Sequence, residues 1–278
     1  MDIISFNPKI LFLLVLAISL AMVTTGSTKT KIILDTDTGT GTIGEEVDDG
    51  LAILLAIQSP ELELLGVTEV HGNVNVDQGV ANALRILELA GRGDIPVYKG
   101  AEKPLVHDWV RPGKVKEPYG GFSKLKASSR GAVDFIIEKI MQNPGEITLI
   151  CVGPLTNLAT ALQKEPKIAH NIKELIIMGG AIDHPGNITP YAEFNFWVDP
   201  EAAKIVLRSD IKNITLVPLD VTTKTLLTKQ HLDNLKSNPV TEWLKVVIPP
   251  WIDRLGTKGC HLHDPLAVAF AIERDLVK

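Results

Sequence analysis

The chain has 278 residues, of which 45% are hydrophobic and 22% charged, and its formal net charge is −5 at pH 7. This composition is ordinary for a globular protein, and it excludes the basic face by which proteins bind nucleic acid. Two cysteines exclude a disulfide scaffold. Cys151 and Cys260 are expected to be single buried thiols, although an oxidising compartment would let them pair if they lay close together.

Residues 1–28 are predicted to form a secretory signal peptide. Lys9 precedes an apolar run over residues 10–23, and small polar residues follow it. The run is shorter than the roughly 20 residues that a membrane-spanning helix needs, which favours cleavage over retention as an anchor. The remaining domain, residues 29–278, is therefore expected to be secreted, extracellular and, after cleavage, free of the membrane.

Predicted strands and helices alternate along that domain. The strands are apolar runs at residues 31–37, 63–70, 95–98, 146–152, 174–178 and 214–221. Helices are predicted over residues 48–57, 76–91, 132–141, 155–163, 200–208 and 265–272. Residues 103–126, with Pro, Gly and basic residues, are predicted to be a mobile loop. The alternation predicts a single α/β domain whose mainly parallel open sheet has helices on both faces.

Four carboxylates surround the end of the first predicted strand. Asp35 and Asp37 end that strand, and Asp48 and Asp49 begin the helix that follows. Open α/β sheets bind ligands at the carboxyl ends of their strands. Carboxylates at one junction repel each other unless a cation neutralises them, so the pattern indicates a hard-metal site. The alternative is helix capping within a solvated acidic loop.

Polar motifs also follow the later strands. They are His71-Gly-Asn73, Gly-Pro-Leu-Thr-Asn157, Gly-Asn187, Glu193-Phe-Asn195 and His263-Asp264-Pro265. Taken singly, each has an ordinary explanation as a turn residue, a helix cap, a surface acid or a core histidine.

Taken together and in this order, the motifs resemble those of the inosine-uridine nucleoside hydrolases, and Met-Gly-Gly at Met178 fits the same pattern. The resemblance runs from about residue 31 to the end of the chain. It implies the fold of that family and hydrolysis of the N-glycosidic bond of ribonucleosides, with purine or pyrimidine bases, to ribose and free base. It also implies a homo-oligomer.

The resemblance implies one Ca²⁺ ion and assigns its ligands. These are the side chains of Asp37, Asp49 and Asp264 together with the backbone carbonyl of Val152. Asp35 would support these ligands by hydrogen bonding. An all-oxygen set with three carboxylates suits Ca²⁺ and leaves room for water and two sugar hydroxyls.

The resemblance also assigns substrate contacts. Asp48 and Asn195 would hold the 2′-hydroxyl side of the ribose, and Asn187 and Glu193 its 5′-hydroxyl. Asn73 would lie near the reacting carbon.

Two further residues are expected to move protons, and a third to pack on the sugar. Cleavage builds positive charge on the sugar and negative charge on the departing base. Asp37 is expected to act as the general base toward water, and His263 to protonate the base. This is the logic of inverting glycoside hydrolysis. Met178 is expected to pack against the sugar.

The sequence departs from the family pattern in three places. Residues 38–47 replace a much shorter turn; this segment could bulge outward or loosen the ligand geometry, and Glu45 and Glu46 could compete for the metal. The family usually continues beyond the helix that follows His263, so C-terminal elements are expected to be missing here. Residues 114–120 lack the family's His-Gly, so the sequence assigns no base preference.

Two other functions compete with the hydrolase. An exported, inactive nucleoside-binding paralogue would fit a site disturbed by the longer segment. A haloacid-dehalogenase-like phosphatase would fit the pattern Asp35-Thr-Asp37-Thr, with Mg²⁺ and an aspartyl-phosphate. Gly39 departs from that second motif, which also leaves the Asn187, Glu193 and Asn195 motifs unexplained.

Overall fold

The computed structural model describes residues 29–277, so the predicted signal peptide lies outside the described part. A six-stranded parallel sheet has the strand order β3-β2-β1-β4-β5-β6. Its strands are β1 (Thr30–Thr36), β2 (Leu62–Glu69), β3 (Val97–Lys99), β4 (Ile147–Cys151), β5 (Glu174–Met178) and β6 (Ile214–Val217). A separate antiparallel pair joins β7 (Leu227–Thr228) to β8 (Gly259–Cys260).

Helices connect the strands and cover the sheet. The first six are α1 (Asp48–Gln58), α2 (Val76–Leu89), α3 (Ala132–Gln142), α4 (Thr156–Lys164), α5 (Ile168–Asn171) and α6 (Phe194–Val198). The others are α7 (Pro200–Leu207), α8 (Leu219–Thr222), α9 (Lys229–Asp233), α10 (Pro239–Leu255) and α11 (His263–Ile272), followed by a 3₁₀ turn at Arg274–Leu276. None of the described helices is both long and apolar enough to cross a membrane.

The sheet separates two hydrophobic cores because side chains alternate along each strand. On β1, Ile32 and Leu34 belong to one core and Ile33 to the other, and all three are fully buried. Cys151 packs in the second core and Cys260 in the first, and both thiols are free. Burying a side chain such as Ile or Leu contributes about 1.5–3 kcal/mol, so these two layers hold the sheet rigidly.

The strand order fixes where a ligand can bind. Connections from β1 run to one side of the sheet through β2 and β3, and the later strands extend from β4 on the other side. A crevice therefore opens beyond the carboxyl ends of β1 and β4, where ligands bind in folds of this type.

The predicted α/β sheet is confirmed, but one strand was predicted to be longer than it is. The strand predicted over residues 214–221 ends at Val217. Pro218 lacks a backbone N–H, and α8 begins immediately after it.

The longest helix, α10, was not predicted. Its apolar face is interrupted by Pro249 and Pro250, which lie inside the helix and obscure the helical pattern. Residues 103–126, predicted as a loop, contain no helix or strand.

Candidate active site

Three buried carboxylates converge at the crevice. Oxygens of Asp48, Asp49 and Asp264 lie within 4.8 Å of one another. Asp48 and Asp49 occupy the first turn of α1, and Asp264 the first turn of α11. The backbone N–H of Asp264 donates to Asp48 Oδ2 at 3.1 Å. Two helix N-termini thus meet here, and their unpaired N–H groups favour negative charge.

Asp37 lies next to this group, fully buried. Its Oδ2 accepts a hydrogen bond from the backbone N–H of Asn73 at 2.5 Å, whereas its Oδ1 has no partner in the described part of the chain. The Asn73 side-chain amide donates to Asp49 Oδ2 at 3.2 Å, so Asn73 holds two acids at once. A side chain at Gly72 would collide with Asp37 Oδ2, which explains the glycine.

Asp35 is held by different residues. Its Oδ1 accepts from the Thr68 hydroxyl and, at 2.8 Å, from the Asn157 amide. Asn157 also donates to the Glu69 carbonyl and accepts from the Ala101 N–H. It therefore ties β1 and β2 to the loop after β3, a role beyond that of a turn or a cap.

Crowding of the acids changes their protonation. Burial, and next the charge of Asp49, raise the pKa of Asp48 to about 7. Burial and the charge of Asp49 also raise the pKa of Asp37 well above its usual range. The pKa of Asp264 rises for the same reason, with Asp48 as the main charge acting on it. A cation among these oxygens would offset the repulsion.

The opposite wall carries Glu193 and Asn195. Glu193 caps α6, and its two oxygens accept from the N–H groups of Asn195, Gly180 and Phe196 at 2.8–3.0 Å. The Asn195 amide donates to the Val152 carbonyl at 2.8 Å. A carbonyl oxygen has two lone pairs, so Val152 keeps one for another ligand.

Nearly all the predicted site residues line one cleft of about 270 Å³. Asp35, Asp37 and Asp49 are the exceptions. All three are fully buried, and none of them lines the cleft. The residues that do line it are Asn73, Asp48, Asn187, Glu193, Asn195, Met178, Val152, His263 and Asp264.

His263 differs from the sequence-based expectation in its protonation. Its Nδ1 lies 2.7 Å from the Thr222 hydroxyl. Burial, and next the charge of His261, lower the pKa of His263 to about 3. The imidazole is therefore neutral near pH 7, whereas the motif alone predicted a histidine that titrates near neutrality.

Residues 38–47 fold inward rather than bulging outward. Thr40 is fully buried; its hydroxyl donates to the Val47 carbonyl at 2.7 Å and accepts from the Gly50 N–H at 2.8 Å. The Asn82 amide donates to the Thr38 carbonyl at 2.8 Å. The segment is therefore packed between β1, α1 and α2.

Sequence reasoning missed two residues at the site: Phe194, in the cleft lining, and Arg111, beside Phe194. Phe194 lines the cleft, and its N–H donates to Asn187 Oδ1 at 2.8 Å. The Arg111 guanidinium lies 6.0 Å from the Phe194 ring and 5.8 Å from that of Trp109. Arg111 comes from the loop between β3 and α3, and no local sequence signal links it to Phe194.

A family model for inosine-uridine preferring nucleoside hydrolases matches residues 32–278. The chain belongs to this family. The resemblance predicted from the motifs is confirmed, and the protein is a nucleoside hydrolase in the N-glycosyl hydrolase class.

Individual relatives cover most of this hydrolase. Uridine nucleosidase 1 of Arabidopsis thaliana is 37% identical over 246 residues, covering 83% of this chain and 72% of the relative. An inosine-uridine preferring nucleoside hydrolase of Leishmania major is 38% identical over 241 residues, covering 82% and 76%. A solved plant nucleoside hydrolase superposes with a TM-score of 0.81 at 31% identity, covering 90% of this chain and 81% of the other.

Proposed function

We propose that this enzyme hydrolyses ribonucleosides to ribose and free base in a calcium-dependent reaction. The observation that carries the proposal is the convergence of Asp48, Asp49 and Asp264, whose oxygens lie within 4.8 Å of one another. Uridine and inosine are the first substrates to test, because they appear in the names of the relatives and of the family.

The donor set fits calcium. Asp37, Asp49, Asp264 and the Val152 carbonyl offer only oxygen, and Asp48 stands beside them. The buried Oδ1 of Asp37 has no partner in the described chain, which is the kind of orphaned acceptor that a cation satisfies. When bound, Ca²⁺ supplies Lewis acidity, lowering the pKa of water and polarising hydroxyl oxygens.

Asp37 is proposed as the general base. The Asn73 N–H occupies one acceptor site of its Oδ2, and the remaining sites of the carboxylate leave room for a proton from the attacking water as well as for the cation. Asn73 keeps the carboxylate turned toward that task.

His263 is proposed to stabilise the departing base. As a neutral imidazole it carries one N–H. If Nδ1 accepts from the Thr222 hydroxyl, Nε2 holds that proton and can donate it in a hydrogen bond to the base nitrogen. Asp35 is proposed to support the acid side of the site through Asn157.

The sugar hydroxyls are divided between the two walls. A vicinal diol can chelate a cation, so the 2′- and 3′-hydroxyls are proposed to face the carboxylate group, with Asp48 and Asn195 on the 2′ side. The 5′-hydroxyl then extends toward Asn187 and Glu193. Met178, buried in the cleft wall, is proposed to pack on the sugar.

The alternatives are less well supported. A haloacid-dehalogenase-like phosphatase would leave Asn187, Glu193 and Asn195 of the cleft without a role. Asp35, the first acid of its motif, is fully buried and held by Thr68 and Asn157. An inactive paralogue would be expected to have lost part of the acid group, which is complete here. We further propose that the enzyme is secreted after cleavage of residues 1–28 and that it forms a homo-oligomer.

The test is ribose release from uridine and from inosine by the purified enzyme, with Ca²⁺ and then with excess chelator. Calcium-dependent release of ribose is the expected result. Tight nucleoside binding without release would instead favour the inactive paralogue. Phosphate release from p-nitrophenyl phosphate would favour the phosphatase.

A further inference from the structure

The two ends of the segment of residues 38–47 are in contact at Gly39 and Glu46, and this contact is called the neck. A Cβ at Gly39 would lie 2.7 Å from the Glu46 carbonyl oxygen, so the two backbones are in contact there. Thr40 bridges the same neck to Val47 and Gly50. The two ends of the segment are therefore fixed relative to β1 and α1.

The outer part of the segment is anchored as well. Arg254 of α10 donates to the Gly44 carbonyl at 2.7 Å. The Gly41 carbonyl accepts from the Tyr119 N–H at 2.9 Å, and the Tyr119 carbonyl accepts from Trp243 Nε1 at 2.8 Å. Glu46 is thus carried by a segment that is held at its neck and at its tip.

Glu46 lines the same cleft as Asp48 and Glu193. It lies outside the group of carboxylates that could share a cation. Within residues 29–277 no group donates a hydrogen bond to its side chain.

The proposed orientation of the substrate calls for an acceptor for one hydroxyl proton. The 5′-hydroxyl offers one O–H donor. Asn187 has its oxygen engaged by the Phe194 N–H, so only its amide N–H groups remain, and these can bind the hydroxyl oxygen. Glu193 already accepts three backbone N–H groups and keeps about one of its four acceptor sites. Glu46 lines the same cleft and accepts no hydrogen bond from any described residue, so it has the larger free acceptor capacity.

We infer that Glu46 is a specificity-determining residue that accepts a hydrogen bond from the 5′-hydroxyl of the ribonucleoside. This inference rests on the proposed function, and it assigns to the family's site a residue from the longer segment between Asp37 and Asp48. A hydrogen bond to a charged group stabilises the complex by an amount equivalent to about a ten- to a hundredfold change in kcat/KM.

The experiment compares Glu46→Met with the wild-type enzyme on uridine and on 5′-deoxyuridine. Methionine keeps about the length of the side chain and removes both acceptor oxygens. On uridine we expect kcat/KM to fall about ten- to a hundredfold. On 5′-deoxyuridine the two enzymes should agree within about twofold, because the contact is already missing. The wild-type enzyme should itself lose a similar factor on the 5′-deoxy substrate.

Glu45→Met is the matched control, since the Glu45 carboxylate faces Arg254 at the surface and an exposed pair of this kind contributes little. It should leave the kinetics on both substrates unchanged. Equal losses with Glu46→Met on both substrates, or no loss on either, would overturn the inference; a melting curve checks that the variant is folded. An inactive wild-type enzyme would overturn the proposed function, and with it the inference.

Discussion

Asp264 and Glu193, on opposite walls of the cleft, differ in their hydrogen bonds. Asp264 receives no hydrogen bond at its side chain from any residue within the described range. Glu193, on the other wall, accepts three backbone N–H groups. Both walls are buried, so the contrast reflects hydrogen bonding rather than exposure.

This difference separates two uses of a buried acid. A carboxylate that accepts hydrogen bonds from backbone N–H groups stabilises the fold. It caps a helix N-terminus, where the helix dipole favours negative charge. A carboxylate left without donors, next to others of the same charge, costs stability until a cation arrives. The same change, carboxylate to amide, should therefore have opposite effects on stability at Asp264 and at Glu193.

The largest effect is expected from Asp264→Asn. Removing this proposed metal ligand should lower kcat/KM about a thousandfold, because the proposed ion would supply several kcal/mol of transition-state stabilisation. In chelator the melting temperature should stay the same or rise, since a repelling charge is lost and no hydrogen bond to the side chain is broken. Steady-state kinetics and thermal unfolding measure both. A clear loss of stability of the variant in chelator would contradict the expectation that the Asp264 carboxylate destabilises the ion-free fold.

Glu193→Gln should act in the opposite sense. The amide has one acceptor oxygen where the carboxylate has two, so at least one buried N–H loses its partner, at a cost of about 1–3 kcal/mol. The melting temperature should fall by about 2–4 °C for each kcal/mol in a chain of this size. Glu146→Gln, in a surface pair with Lys31, is the control and should change little. An unchanged melting temperature for Glu193→Gln would remove the distinction between the walls.

The smallest effect is a pH dependence of the chelated protein. Asp35 and Asp48 have folded pKa values of about 7, above the value of about 3.9 for an unfolded aspartate, so the folded state holds protons that the unfolded state has lost. Raising the pH through 7 then favours unfolding. Buried His71, with its pKa lowered to about 4, opposes this only below about pH 6.5.

Between pH 6.5 and 8 the melting temperature in chelator should therefore fall by a few degrees. With Ca²⁺ the fall should shrink or reverse, because metal binding needs ionised ligands. Thermal unfolding at both pH values, with and without the ion, checks this. A melting temperature that rose with pH in chelator would show that Asp35 and Asp48 do not hold excess protons in the folded state.

Local patterns carried much of the fold and of the site. Apolar runs ending in polar residues identified β1, β2, β4 and β5, and their shared direction brought Asp48, Asn73, Asn195 and Asp264 to one crevice. The assignment of roles came from the resemblance to the family, since no spacing in the sequence shows which acid binds an ion and which binds a hydroxyl.

The parts that escaped prediction depend on contacts between distant residues. The inward fold of residues 38–47 depends on Asn82, Tyr119 and Arg254, which lie far along the chain. Glu46 therefore enters the cleft through contacts that no local pattern reveals. The lowered pKa of His263 similarly reflects its burial and the proximity of His261.

The closed neck between Gly39 and Glu46 also bears on how this enzyme could diversify. Because Gly39 and Glu46 are in contact, exposed residues at the tip of the segment, such as Ile43, can be exchanged with little effect on the path from β1 into α1. Variation at this tip is therefore expected to change the outer surface of the enzyme, whereas variation at Glu46 would change the lining of the cleft.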